Sequence, residues 1–171
     1  MLQANLTMRF ILSLSIFFFA SAPHGVCADN EIAVLSDLHS AYPEWKPRGV
    51  VDVGANRGGL TRGLQQEYPG VTTFMVEASP KHTVLIEEVK KEFAPNVDYK
   101  ITVLSEKDGD TIEFCYNTGG AGTGDSMFVE NSVRYKDDKP VQRTTTKLDT
   151  LVGHMEHVDY LKIDVQAMGQ N

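Results

Sequence analysis

The chain has 171 residues, of which 42% are hydrophobic, so it is long enough for one globular domain with a proper core. Its formal net charge is −7, and its 16 Lys and Arg residues do not cluster. Because phosphate binding needs a basic face, these features argue against nucleic acid as a partner and favour a small or neutral one.

The first 28 residues have the pattern of a secretory signal peptide. Arg9 precedes an apolar run from Phe10 to Ala20, and Val26-Cys27-Ala28 has a small-x-small cleavage pattern. The run is shorter than the roughly 20 residues of a membrane span, which disfavours a retained anchor. We therefore expect a mature chain that begins at Asp29, has no membrane span and is luminal or secreted.

Two regions follow the signal segment. Residues 29–48 predict a lead-in with a short helix around Ile32, Leu35 and Leu38, which either packs against the sheet or covers a cofactor. Residues 49–171 predict one α/β domain. Loss of the signal segment would leave Cys115 as the one cysteine, so we expect no internal disulfide and a buried, inert thiol.

The stretch from Gly49 to Leu60 predicts a buried strand that runs into a glycine turn and a helix. The free N–H groups of such a helix attract an anionic or polar ligand group. The turn has Asn56 where a dinucleotide site needs its second glycine, so pyrophosphate binding is disfavoured. Asp52, just before the turn, suits a cation such as the ammonium or sulfonium of S-adenosylmethionine.

The next predicted strand, Val71 to Val76, ends in Glu77, about 23 residues after Gly54. Doubly wound folds place at this spacing the acid that hydrogen-bonds a ribose. The turn and the acid together predict an adenosine-type cofactor, and an α/β turn without a ligand is the alternative.

Further elements alternate as helices and strands. Ser79 and Pro80 are typical of a helix start, with Ser79 as the N-cap. Leu60 and Leu64 fall on one helical face with Tyr68 a further turn along, and Leu85, Val89 and Phe93 recur at helix spacing, so each set predicts a helix. The later predicted elements are, in chain order, the strand Tyr99–Leu104, an antiparallel strand Thr111–Tyr116, the strand Val141–Thr146, a short helix Leu148–Val152 and the strand Val158–Val165. Asp164 then lies at the carboxyl end of the last strand, where open α/β sheets bind ligands. We expect this last strand to lie beside the first in the sheet.

Two other motifs carry weaker hypotheses. Residues 117–126 are glycine-rich and predict a mobile loop, and Gly124-Asp125-Ser126 is also found in some esterases, but no Asp-x-x-His block follows. His154 and His157 are spaced H-x-x-H without carboxylate or cysteine partners, so we expect no metal site.

Four blocks in order, Val51–Gly58, Val76–Pro80, Leu148–Leu151 and Asp159–Gln166, together resemble the FkbM family of S-adenosylmethionine-dependent methyltransferases. The resemblance implies a Rossmann-like methyltransferase sheet, mostly parallel, with an antiparallel hairpin insertion. It also implies methyl transfer to a hydroxyl oxygen of a small molecule or glycan, without a metal.

The resemblance further implies roles for single residues. The methionine part of the cofactor would be lined by Asp52, Gly54, Asn56 and Gly58. Glu77 would hold the ribose hydroxyls, and the adenine would lie near Ser105 and Glu106. Asp164 would stand next to the transferred methyl group, as orienter or base.

The family strand continues with a glycine and a glutamate, whereas here Gln166 is followed by Ala167-Met168-Gly169. From this we expect the last strands of the sheet to be missing and its open edge to favour self-association. A non-catalytic, methyltransferase-like binding protein is therefore the alternative function. A hydride-transfer enzyme is a more distant one, against which Asn56 counts.

Overall fold

The computed structural model describes residue 33 and residues 36–37, 39–115 and 140–165. The predicted signal segment, the glycine-rich loop at 117–126, and Ile32, Leu35 and Leu38 of the lead-in helix lie outside the described residues. None of the helices within the described ranges is both long and apolar enough to cross a membrane.

From residue 49 onward, strands and helices alternate. In chain order the described elements are β1 (Gly49–Val53), α1 (Gly59–Glu67), β2 (Thr72–Glu77), a 3₁₀ turn (Pro80–His82), α2 (Thr83–Glu92), β3 (Val97–Ile101), β4 (Val103–Leu104), β5 (Thr111–Phe114), β6 (Val141–Thr146), α3 (Leu148–Val152) and β7 (Tyr160–Ile163).

The central sheet is parallel and has the strand order β3-β2-β1-β7. All five residues of β1 are buried, as expected for a strand covered on both faces. The predicted position of the last strand beside the first is confirmed, and so is the Rossmann-like α/β fold class. The carboxyl ends of the four strands meet at one end of the sheet, which we call the carboxyl end.

Helix α1 packs as the apolar spacing predicts. Leu60, Leu64 and Tyr68 are buried in one cluster with residues of β1 and β7, and Trp45 of the lead-in packs against the same cluster. Tyr68 lies at the end of α1, near the amino ends of the strands. The described part of the lead-in therefore packs at the end of the sheet opposite the carboxyl end.

Helix α2 is present where the spacing of Leu85, Val89 and Phe93 predicts a helix. Ile86 and Val89 are buried against Met75 and Val97, whereas Leu85 is 38% exposed. Spacings of three and of four residues both fall on one helical face, so the period alone could not choose between Leu85 and Ile86. The buried face of α2 therefore includes Ile86 and not Leu85.

A second, smaller sheet has the order β4-β6-β5. The single strand predicted at 99–104 is divided between the two sheets, since β3 ends at Ile101 in the central sheet and β4 belongs to the second one. That strand is interrupted at Thr102, whose N–H donates to the Glu77 carbonyl at 2.9 Å while its hydroxyl contacts the Thr146 hydroxyl at 2.9 Å. Thr102 is thus where the chain passes from one sheet to the other. The predicted antiparallel strand is present as β5, and its partner is β6.

Candidate functional site at the carboxyl end of the sheet

The turn after β1 is held tightly against β2. The N–H groups of Gly54 and Ala55 both donate to the Val76 carbonyl, at 2.9 and 3.1 Å. The backbone is left-handed at Gly54, Asn56 and Gly58, with φ of 77°, 52° and 76°. Glycine adopts these angles without strain and asparagine tolerates them, which explains the residue types in the turn.

Gly58 is also required by packing. A Cβ at this position would lie 2.8 Å from Cγ2 of Val89 in α2. The glycine therefore allows α2 to approach the turn, and this contact gives it a structural role independent of any ligand.

Glu77 is fixed at the carboxyl end of β2 by two backbone groups. Its Oε2 accepts from the N–H of Asn56 and its Oε1 from the N–H of Ser79, both at 2.7 Å. A carboxylate oxygen has two lone pairs, so each oxygen keeps one for another donor. The side chain is half-buried. The structure thus brings together the glycine turn and the acid that the sequence paired.

Asn56 and Ser79, whose N–H groups bind Glu77, each carry a buried polar side-chain atom that has no hydrogen-bond partner among the described residues: Oδ1 of Asn56 and Oγ of Ser79. Ser79 is an N-cap with Pro80 at the first helical position, as predicted. The residues after it form a 3₁₀ turn, α2 begins only at Thr83, and the hydroxyl makes no capping bond. Buried polar atoms usually have hydrogen-bond partners, so two such atoms without one among the described residues are an unusual feature beside Glu77.

Asp52 is fully buried beneath the turn and is bound from two sides. Its Oδ1 accepts from Nζ of Lys162 in β7 at 3.1 Å, and its Oδ2 from the hydroxyl of Thr61 in α1 at 3.0 Å. Asp52 does meet a cation, as its charge predicts, but that cation is the Lys162 ammonium. A direct contact between Asp52 and a cofactor remains a prediction.

Asp164 lies directly beside the turn. Its N–H donates to the Val53 carbonyl at 3.0 Å, and its side chain is 65% exposed. The Oδ2 atom is 3.9 Å from Nζ of Lys162. The predicted catalytic residue therefore stands at the carboxyl end of the sheet with its carboxylate accessible.

Ser105 and Glu106 come after the point at which the chain leaves Glu77 and enters the second sheet. The backbone passes Glu77 at Thr102, and β4 then carries it into the second sheet. The N–H of Ser105 donates to the Thr146 carbonyl at 3.2 Å, and Glu106 is exposed. Their role near an adenine ring remains a prediction.

The sequence reasoning missed Lys162 and Thr61. Lys162 is a charged residue within an otherwise apolar strand, and Asp52 is another. Since buried charges need partners, two opposite charges in strands predicted to be neighbours could have been paired before the structure was known. Thr61 gives no comparable sequence signal.

The two histidines of the H-x-x-H pattern point to different neighbours. The His154 ring lies 5.3 Å from the Phe74 ring, and Nε2 of His157 lies 3.3 Å from Nη1 of Arg48. Within residues 39–115 and 140–165, no group of three His, Cys, Asp or Glu side chains is placed to hold a metal ion.

A cavity of about 490 Å³ lies at the opposite, amino-terminal end of the sheet, lined by residues that include His39, Lys46, Arg48 and Tyr68. Arg48 in this wall is bound to Asp159, with 3.1 Å between Nη2 and Oδ1. The cavity is therefore separate from the carboxyl end that holds Glu77 and Asp164.

Comparison with protein-family models and with curated proteins gave no match. Among solved structures, the chain is similar in part to a protein from Pyrococcus horikoshii described as an RNA methyltransferase, at 22% identity and a TM-score of 0.35, over 42% of this chain and 35% of that one. It is also similar in part to coclaurine N-methyltransferase bound to N-methylheliamine and SAH, at 21% identity and a TM-score of 0.36, over 52% of this chain and 26% of that one. The matched parts thus span about a third and about a quarter of those proteins.

Proposed function

We propose that this chain binds S-adenosylmethionine at the carboxyl end of its parallel sheet and transfers the methyl group to a hydroxyl oxygen of a small molecule or glycan, as FkbM-type methyltransferases do. The observation that carries the proposal is the position of Glu77. Its carboxylate is fixed by the N–H groups of Asn56 and Ser79 and keeps one acceptor site on each oxygen.

The chemistry of the residues around Glu77 fits an adenosine group. Two neighbouring ribose hydroxyls can each donate to one carboxylate oxygen, and the orphaned Oδ1 of Asn56 and Oγ of Ser79 offer further polar contacts. The fit needs no pyrophosphate pocket, in agreement with Asn56 in the turn. The adenine side would be formed by Ser105 and Glu106, where the chain enters the second sheet.

The remaining residues of the turn would hold the methionine part. Gly54 lies against the backbone of Asp164, and the buried Asp52 balances the charge of Lys162. When bound, the cofactor supplies a methyl group on a positively charged sulfur. Asp164 would orient the acceptor hydroxyl and take up its proton, while the rigid turn fixes the geometry that such a transfer requires.

The test is calorimetric binding of S-adenosylmethionine and S-adenosylhomocysteine to the full chain, with NADH as the control nucleotide. We expect both sulfur compounds to bind and NADH not to bind. Transfer of a labelled methyl group to a panel of hydroxyl acceptors then separates an enzyme from a binding protein. Binding without transfer would favour the non-catalytic alternative, and failure of both compounds to bind would refute the cofactor assignment.

The proposal includes a location in the secretory pathway, supported by Arg9, the apolar run after it and the small residues before Asp29. N-terminal sequencing of protein collected from the medium of expressing cells is expected to find Asp29 first. Secreted protein that retained Met1 would contradict this part.

A further inference from the structure

Lys162 lies in a position where a lysine is costly. Its side chain is only 9% exposed, and it belongs to β7, whose neighbour β1 is entirely buried. A buried ammonium is tolerated only where oxygen atoms surround it, and such pairs seldom stabilise a fold more than apolar residues of the same size would. The position of the charge therefore calls for an explanation other than stability.

The ammonium contacts the turn as well as Asp52. Nζ donates to Oδ1 of Asp52 at 3.1 Å and to the carbonyl oxygen of Gly54 at 3.0 Å, and it lies 3.9 Å from Oδ2 of Asp164. The contacts with Asp52 and Gly54 are hydrogen bonds, whereas the Asp164 carboxylate at 3.9 Å is held by charge attraction. The contacts join β1, the turn after it and the end of β7.

We propose that Lys162 is a positioning residue of the site at the carboxyl end of the sheet: its ammonium holds the Gly54 carbonyl and the Asp164 carboxylate in the arrangement that receives the cofactor. This inference rests on the proposed function. It gives the buried charge a role that an apolar side chain of equal volume could not perform, because only a donor can fix the Gly54 carbonyl.

The experiment compares Lys162→Met with Lys100→Met in the full chain. Lys100 lies on β3 of the same sheet and is exposed, so its variant is a matched control for the loss of a lysine from a strand. S-adenosylhomocysteine binding is measured by calorimetry at a temperature at which thermal unfolding shows every variant folded. We expect Lys162→Met to bind about 10-fold or more weakly than the parent, and Lys100→Met to bind like the parent.

A second readout does not depend on any ligand. Backbone amide NMR shifts are compared at Gly54, Ala55 and Asp164 and, as a reference, in β3. In Lys162→Met we expect changes concentrated at the first three residues. Should Lys162→Met fail to fold because Asp52 is left unpaired, the double variant Asp52→Asn/Lys162→Met removes both charges and is used for this readout.

The outcomes separate the two proposals. If the parent chain binds no sulfur compound, the cofactor assignment fails and the role of Lys162 in cofactor binding is overturned with it, while the NMR shifts still show whether its ammonium fixes the turn. Unchanged affinity in Lys162→Met would overturn the positioning role, and so would unchanged amide shifts at Gly54 and Asp164. If the single and double variants both fail to fold, Lys162 is a structural residue and the inference is wrong.

Discussion

Gly54 and Asp164 are packed backbone against backbone. A Cβ at Gly54 would lie 1.9 Å from the carbonyl oxygen of Asp164, a distance that no side chain could accept without movement of the chain. The N–H of Asp164 is meanwhile held by the Val53 carbonyl at 3.0 Å. Glycine is therefore required at this position by the approach of β7, in addition to the left-handed φ of the turn.

Gly54→Ala should destabilise the chain by about 2–4 kcal/mol, since it combines a backbone clash with an unfavourable φ. Gly109→Ala is the matched control, because Gly109 has a φ of 81° but nothing within 4 Å of an added Cβ. It should cost only about 1 kcal/mol, the strain of the left-handed conformation alone. Urea unfolding of both variants measures the difference, and equal losses would show that Asp164 yields to the new methyl group.

Glu77→Ala should lower the affinity for S-adenosylhomocysteine by roughly 10- to 100-fold, the value of a charged acceptor of about 1.5–3 kcal/mol. The structure adds a cost in folding, because the N–H groups of Asn56 and Ser79 lose their acceptor. Water can replace the half-buried carboxylate in part, so we expect a loss of about 1 kcal/mol in unfolding free energy.

Glu113→Ala is the control for that experiment, since Glu113 is an exposed glutamate on β5 in the second sheet. Calorimetry and urea unfolding are to be applied to both variants. A Glu77→Ala chain that binds as tightly as the parent would remove the support for an adenosine cofactor.

The strands of the central sheet were predictable because a buried parallel strand is a continuous apolar run. This signal located β1 and β2 within a residue or two, and the predicted placement of the last strand beside the first is also observed. The acid after β2 and the glycine turn were likewise readable from spacing, and the hydrogen bond from Asn56 to Glu77 joins them.

Details that depend on tertiary contacts were not readable. The break at Thr102 exists because its hydroxyl and N–H are bound by two different sheets, and nothing in the local sequence marks it. Ser79 is similar: it is the N-cap that its residue type predicts, but the element it caps is a 3₁₀ turn, its N–H is bound by Glu77, and its hydroxyl makes no capping bond. Local preferences cannot anticipate such competition between partners.

Thr61→Val should cost about 1.5–3 kcal/mol, because it leaves Oδ2 of the buried Asp52 without the donor that now lies at 3.0 Å. Thr61→Ser keeps the hydroxyl and removes only a buried methyl group, for about 1 kcal/mol. Urea unfolding distinguishes the two. If the serine variant lost as much stability as the valine variant, the methyl group and not the hydrogen bond would be the important feature of Thr61.

The pair of Asp159 and Arg48 should make stability depend on pH. Burial raises the pKa of Asp159, but hydrogen bonds from the side chain and the backbone of Arg48 outweigh it, so the pKa lies below its ordinary value of 3.8. A carboxylate with a lowered pKa in the folded state stabilises the fold above the unfolded pKa, and this contribution disappears as the pH falls through the folded pKa. We therefore expect Asp159→Asn to unfold at lower urea concentration than the parent at pH 7, and the two midpoints to converge below pH 3.8.

Asp110→Asn, at an exposed aspartate, should follow the parent at every pH. A gap between Asp159→Asn and the parent that stayed constant down to acid pH would mean that the Asp159 charge contributes nothing and that the substitution acts through packing.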